Sequence, residues 1–146
     1  MKIDSIERCK VNSEGFVIVP IVPMGAVRLS SSDRWAKRPR AVMYFDWKNE
    51  FKLIMAQSPA LKSVVSRIEK SGRMELFSVH EIPESWSKKK KGDYYGKPMQ
   101  SKPDGDNIFK AVGDLLFKED SFIYRGIFEQ RWCNEGESPC VMIKEC

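Results

Sequence analysis

The chain predicts an α+β (mixed α/β) fold: one domain, 1–146, with a mixed sheet covered by helices. Three observations predict it. Gly15 to Pro23 is a short apolar, β-branched run and Met74 to Pro83 alternates apolar and polar residues, both strand signals. Ala41 to Gln57 and Asn107 to Phe117 repeat apolar residues every three or four positions, the helical period. The hydrophobic fraction of 42% then supplies enough apolar side chain for a packed core.

Taken in order, Met1 to Asn12 has weak periodicity, and GFVIVPIVP is a first strand in which Pro20 marks an edge or a bulge. Tyr44, Trp47, Phe51, Ile54 and Met55 then make an aromatic stripe on one helix face, read as core, and Pro59 stops that helix. Ala60 to Lys70 reads as a helix or a loop and helix, broken by Ser71-Gly72. MELFSVHEIP is the next strand, and its lone His80 reads as a packed or exposed sheet residue, not a general base. Phe122 to Trp132 is a strand with a bulge near Gly126. NEGESP is a hairpin loop, and Cys140 to Ile143 is a last strand antiparallel to its predecessor.

Composition excludes several classes. No apolar run reaches membrane-spanning length and no leader stands at Met1, so a soluble cytoplasmic protein without membrane contact is expected. Cys9, Cys133, Cys140 and Cys146 are scattered, with no C-x-x-C and one histidine, so structural zinc is not expected and reduced thiols are.

The basic charge is local. Ser87 to Pro103 holds Lys88, Lys89, Lys90, Lys91, Lys97 and Lys102 against one acid, Asp93, a net of +5 that equals the formal charge of the whole chain. A lysine run of this kind suits a phosphate backbone, although a solvated charge run is its common fate. Gly92, Gly96 and Pro98 make part of 87–103 a mobile loop, interleaved with Tyr94 and Tyr95. Arg28, Arg34, Lys37, Arg38 and Arg40 form a second basic cluster, with Arg28 and Arg38 as candidate DNA contacts.

The richest stretch follows the lysines: KPDGDNIFKAVGDLLFKEDSFI, Lys102 to Ile123. Asp104 and Asp106 flank Gly105, and Asp106 suits the N-cap of the helix that begins there. Asp106, Lys110 and Asp114 share one face at spacings of four. Two carboxylates this close repel unless a cation neutralises them, and Mg²⁺ favours oxygen ligands while keeping waters for chemistry. Asp120 can join if the chain folds back. Carboxylates, a hard cation and one lysine suit phosphodiester hydrolysis. The same pattern also describes a capped helix with a salt-bridged, solvated face.

The string Pro103-Asp104-Gly105-Asp106-Asn107-Ile108-Phe109-Lys110-Ala111, then Asp114-Leu115-Leu116, then Glu119-Asp120-Ser121-Phe122-Ile123 resembles the signature of the RusA family of Holliday junction resolvases. Ile82 to Lys91 extends the resemblance upstream. Two departures stand out: Glu119 replaces the first Asp of the family's acidic pair, and the segment from Asp114 to Glu119 is short. The resemblance implies catalytic Asp104, Asp106, Lys110 and Asp120, with Asp104, Asp106 and Asp120 holding Mg²⁺ and Mn²⁺ as a substitute. It implies a two-fold homodimer acting on branched DNA, a four-way junction, by paired symmetric cuts. A phage or prophage origin is also expected from it. Two alternatives are a non-catalytic branched-DNA-binding module of the same fold and a Mg²⁺ nuclease for other branched DNA.

Overall fold

A computed structural model describes residues 7–27 and 39–146. Among them, five strands form one mixed sheet: β1 (Lys10–Val11), β2 (Val17–Val19), β3 (Arg73–His80), β4 (Arg125–Trp132) and β5 (Cys140–Lys144), in the order β1-β2-β5-β3-β4. β3 and β4 are parallel and every other pair is antiparallel. Among the described residues, four helices accompany the sheet: α1 (Pro39–Ala56), α2 (Pro59–Ser71), α3 (Lys88–Tyr94) and α4 (Gly105–Leu116). The fold class read from the sequence is the one observed.

Local chemistry sets the helix ends. Ser58 caps α2 by accepting from the Leu61 amide at 3.0 Å, Pro59 occupies its first turn, and Gly72 closes it in the left-handed region at φ 74°. The α1 stripe is buried as expected: Tyr44, Trp47, Phe51 and Ile54 face inward, and Trp47 donates to the Val22 carbonyl at 2.8 Å. These side chains meet Leu61, Val64 and Ile68 of α2, Ile108 and Val112 of α4, and Met74, Leu76, Val141 and Ile143 of the sheet in one core. The helix-facing side of the sheet is therefore the packed one.

Four sequence expectations are corrected. The stretch read as a mobile loop is helical from Lys88 to Tyr94, capped by the Ser87 side chain on the Lys90 amide. Beyond it, Met99 N–H donates to Gln130 and Trp132 N–H donates to Lys97, so this segment lies along β4. Gly126 makes no bulge: the β3–β4 register runs unbroken from Arg73↔Arg125 to His80↔Trp132. β4 and β5 form no hairpin, because β3 lies between them and β5 pairs with β2 and β3. The first strand is only Val17–Val19, ending before Pro20, and it pairs with β1 in a segment whose periodicity was too short to read.

His80 is a sheet residue, and of the two alternatives the packed one holds: it is buried, its Nε2 lies 2.9 Å from Ser78 Oγ, and burial lowers its pKa to about 4. All four cysteines are free thiols, three of them buried. Among the described residues, no helix is long and apolar enough to cross a membrane.

Candidate active site

The site is organised by α4 and by how closely it approaches β4. A Cβ at Gly126 would stand 2.7 Å from Phe109 Cζ, and a Cβ at Gly105 would collide with the Phe128 ring. Each glycine thus admits an aromatic from the other element. Phe109 and Phe128 lie 6.4 Å apart between ring centroids. Gly105 of the Asp-Gly-Asp triplet therefore serves packing as well as the turn, and the interlock fixes the first turn of α4 against the edge strand.

Asn107 adds a second anchor. Its Nδ2 donates to the Ala26 carbonyl at 3.0 Å, and its own carbonyl accepts from the Ala26 amide. The segment after β2 is thereby tied to the start of α4. Sequence reasoning quoted Asn107 without giving it this task. An amide directly after two acids, in a first helical turn, was the available signal.

Asp104, not Asp106, is the N-cap. Its carbonyl accepts from Asn107 and Ile108, and its side chain makes no capping hydrogen bond. Asp106 sits one residue inside the helix, in the first turn, where free amides and the helix dipole favour negative charge. Both are exposed, and among the described residues neither carboxylate has an ion pair or a hydrogen-bond donor. No described residue consumes their charge.

Asp120 does fold back onto α4, but at its far end. Its Oδ2 lies 3.2 Å from where a Cβ on Gly113 would stand, so glycine opens the space it occupies. Lys110 pairs with Asp114 at 3.8 Å. Partial burial raises the Asp114 pKa; Lys110 opposes this, and Asp120, close enough to share a hydrogen bond, adds to it. Asp114 was quoted in the motif but given no role. Its contact with Asp120 depends on the turn after α4, which helical spacing does not reveal.

The structure thus holds two carboxylate pairs, one at each end of α4: Asp104 with Asp106, and Asp114 with Asp120, which folds back from the turn beyond. Lys110 stands between them. From Asp106 to Gly113 is two helical turns, about 10 Å along the axis. Among the described residues, no three His, Cys, Asp or Glu side chains are grouped to hold one ion. Each pair nevertheless fits a hard cation, since Mg²⁺ takes oxygen donors and usually only one or two carboxylates.

The lysines cluster on α3 and on the segment that leads from it to Asp104. Lys88, Lys89 and Lys90 of α3 are exposed, as are Lys97 and Lys102 in the segment leading to Asp104, while Lys91 is half-buried. Lys90 is turned back over the Trp86 ring, 4.0 Å from its centroid, and Trp86 packs on Tyr94 and Trp132. Arg28 and Arg38 lie outside the described residues. A groove of about 470 Å³ runs past Gly105, Phe128, Gln130 and Met99, between the lysine segment and the first turn of α4.

Paired acids and a lysine along one helix, on a chain with a lysine-rich helix and a mixed sheet, suit the class of enzymes that cleave nucleic acids. The family model described as Endodeoxyribonuclease RusA matches residues 20–144, and the chain belongs to the RusA family. It is an endodeoxyribonuclease by that membership. No curated protein and no solved structure matches the chain.

Proposed function

We propose that the chain is a Mg²⁺-dependent endonuclease that resolves four-way DNA junctions as a homodimer, nicking two strands of like polarity to leave 5′-phosphate and 3′-hydroxyl ends. The observation that carries this reading is the pair Asp104 and Asp106 at the first turn of α4, without a partner among the described residues and inside the family match. Asp104 and Asp106 would hold the metal, with Mn²⁺ as a substitute, while Asp120 stands with Asp114 at the far end of α4. When bound, Mg²⁺ would supply an activated water and offset phosphate charge.

The remaining work falls to the chain's own groups. Lys110 places a fixed positive charge between the two acid pairs, where charge builds on the phosphoryl oxygens as the bond breaks. Lys88, Lys89, Lys91, Lys97 and Lys102 hold the backbone of the DNA, and such contacts weaken with salt. The rigid seating of α4 on β4 keeps Asp104 and Asp106 fixed relative to that basic face.

A second reading has an observation in its favour. The described residues hold no three-carboxylate group in one chain, which suits a branched-DNA-binding module that does not cut. One experiment separates the two. A labelled synthetic four-way junction and a linear duplex are incubated in Mg²⁺, in Ca²⁺ and in EDTA, with wild type and Asp106→Asn. Paired nicks in the junction alone, by wild type in Mg²⁺ alone, support the resolvase reading. Tight binding with no cleavage in any condition favours the binding module, and equal cleavage of flaps or forks moves the substrate to other branched DNA.

A further inference from the structure

Among the described residues, β4 is the outer strand of the sheet and half of its free edge is uncovered. Its C-terminal half is occupied, because the Gln130 carbonyl accepts from Met99 and the Trp132 amide donates to Lys97. Those two bonds also fix which backbone groups point outward. Amides and carbonyls alternate sides along a strand, so Gly126 and Phe128 present theirs to the free edge, as Gln130 does. Among the described residues nothing pairs with them. An uncovered edge carrying exposed aromatics, with Phe128 47% and Tyr124 74% exposed, is a surface natural proteins rarely leave open.

The uncovered segment, Arg125-Gly126-Ile127-Phe128-Glu129, is complementary to itself. We propose that β4 pairs antiparallel with β4 of a second copy of this chain about a two-fold axis at Ile127. In that register Ile127 meets its own counterpart, and Gly126 meets Phe128 of the second copy. Arg125 meets Glu129 of the second copy, once on each side of the axis. The register agrees with the backbone: the Gly126–Phe128 pairs are the ones whose N–H and C=O groups point outward, so they exchange the hydrogen bonds. The Ile127 and Arg125–Glu129 pairs fall at non-hydrogen-bonded positions, where cross-strand side chains come closest.

Other features select this register. Shifting the centre toward Gln130 would need a carbonyl that Met99 already uses. Arg125 and Glu129 are exposed and make no ion pair among the described residues, so each is free for the other. Arg125, Ile127 and Glu129 lie on the sheet face away from the helices, in register with Arg73, Glu75 and Phe77. Phe128 lies on the helix side opposite a glycine, an arrangement in which the ring covers the bare backbone. The axis is perpendicular to the sheet, so both copies of α4 lie on one face of a continuous sheet. Each keeps its first turn anchored beside the axis through Gly105 and Phe128. The proposal rests on the homodimer named above, whose interface it supplies, and it needs neither DNA nor metal.

The test is therefore made without either. Self-association of the full chain is measured by sedimentation for wild type, for Glu129→Arg, and for Arg125→Glu combined with Glu129→Arg. Placing like charges opposite each other on both sides of the axis should weaken the dimer by ~100-fold or more, and the double exchange should restore most of it. In a Cys146→Ser background, Ile127→Cys should form an intermolecular disulfide under mild oxidation while Glu129→Cys should not, because only position 127 meets itself across the axis. A wild-type monomer at micromolar concentration, a Glu129→Arg dimer of unchanged affinity, or a failed rescue with no Ile127→Cys bridge would overturn the proposal. Junction cleavage is scored separately, so a failed interface and a failed nuclease reading give different results.

Discussion

Two regions of this molecule handle carboxylates in opposite ways. In the β4–β5 connection, Glu137 is fully engaged: Arg131 donates to both of its oxygens, at 2.6 and 2.8 Å, and the Asn134 amide donates at 2.8 Å. The hydrogen bond from Arg131 holds the Glu137 carboxyl below the ordinary carboxylate range. On α4, Asp104 and Asp106 have no such partner among the described residues, and Asp120 lies against Asp114, whose pKa is raised. One acid makes a loop rigid. The others keep their charge available at a position the fold holds tightly, which is what a cation or a phosphate-cutting site requires.

The largest test of that contrast is Asp106→Asn. Cleavage should fall by ~10³-fold or more, the scale at which loss of an essential electrostatic group acts. Folding stability should change by less than about 1 kcal/mol, since among the described residues only the dipole of α4 favours the carboxylate. DNA binding should hold or strengthen, because a charge that repels phosphate is gone. Undiminished turnover in the same assay would remove Asp106 from the site.

Buried His80 supplies a third kind of titratable group, neither engaged as an ion nor free. Its folded pKa of about 4 lies below the ordinary 6.5 because burial disfavours the charged ring. Between those values the unfolded chain binds the proton more readily than the folded one. The contribution is therefore complete above pH 6.5 and is lost as pH falls toward 4, by roughly 3 kcal/mol at the lower end. Denaturant midpoints measured from pH 7 to pH 4 should show this loss, and His80→Gln should flatten it.

Glu137→Gln inverts the Asp106 result. Stability should drop by about 1–2 kcal/mol, because the half-buried Arg131 loses its charged partner. Junction cleavage at 25 °C should be unchanged. A catalytic defect in this variant without a stability change would mean that the connection does more than hold β4 in place.

How much of this was legible beforehand depends on the range of the interaction. The α1 stripe, the helix α4 and strand β3 are written in spacings of two to four residues, and each was read correctly, whereas the burial of His80 was left open. The acid and lysine motif was legible for the same reason. What failed required partners distant in sequence. No local signal puts β3 between β4 and β5, so the last two strands read as a hairpin. Gly126 was taken as a bulge because the reason for it, the ring of Phe109, lies on another element. KKKK read as a loop because its charge hides the Ser87 cap and the Trp86 and Trp132 packing around α3. Asp120 was grouped with Asp104 and Asp106 by family likeness, and the turn after α4 instead carries it to Gly113 and Asp114.

The smallest test carries the same contrast from acids to lysines. Lys90 lies over the Trp86 ring, whereas Lys88 and Lys89 on the same helix project into solvent. A cation held on an exposed indole contributes about 0.5–1 kcal/mol and is partly screened from other partners. Lys90→Ala should therefore cost roughly that much stability and leave the salt dependence of junction binding nearly intact. Lys89→Ala should leave stability alone and lower the slope of log binding constant against log salt by close to one unit, the signature of one lost phosphate contact. If both variants change the slope equally, Lys90 leaves Trp86 when DNA arrives, and the whole exposed face of α3 belongs to the DNA contact.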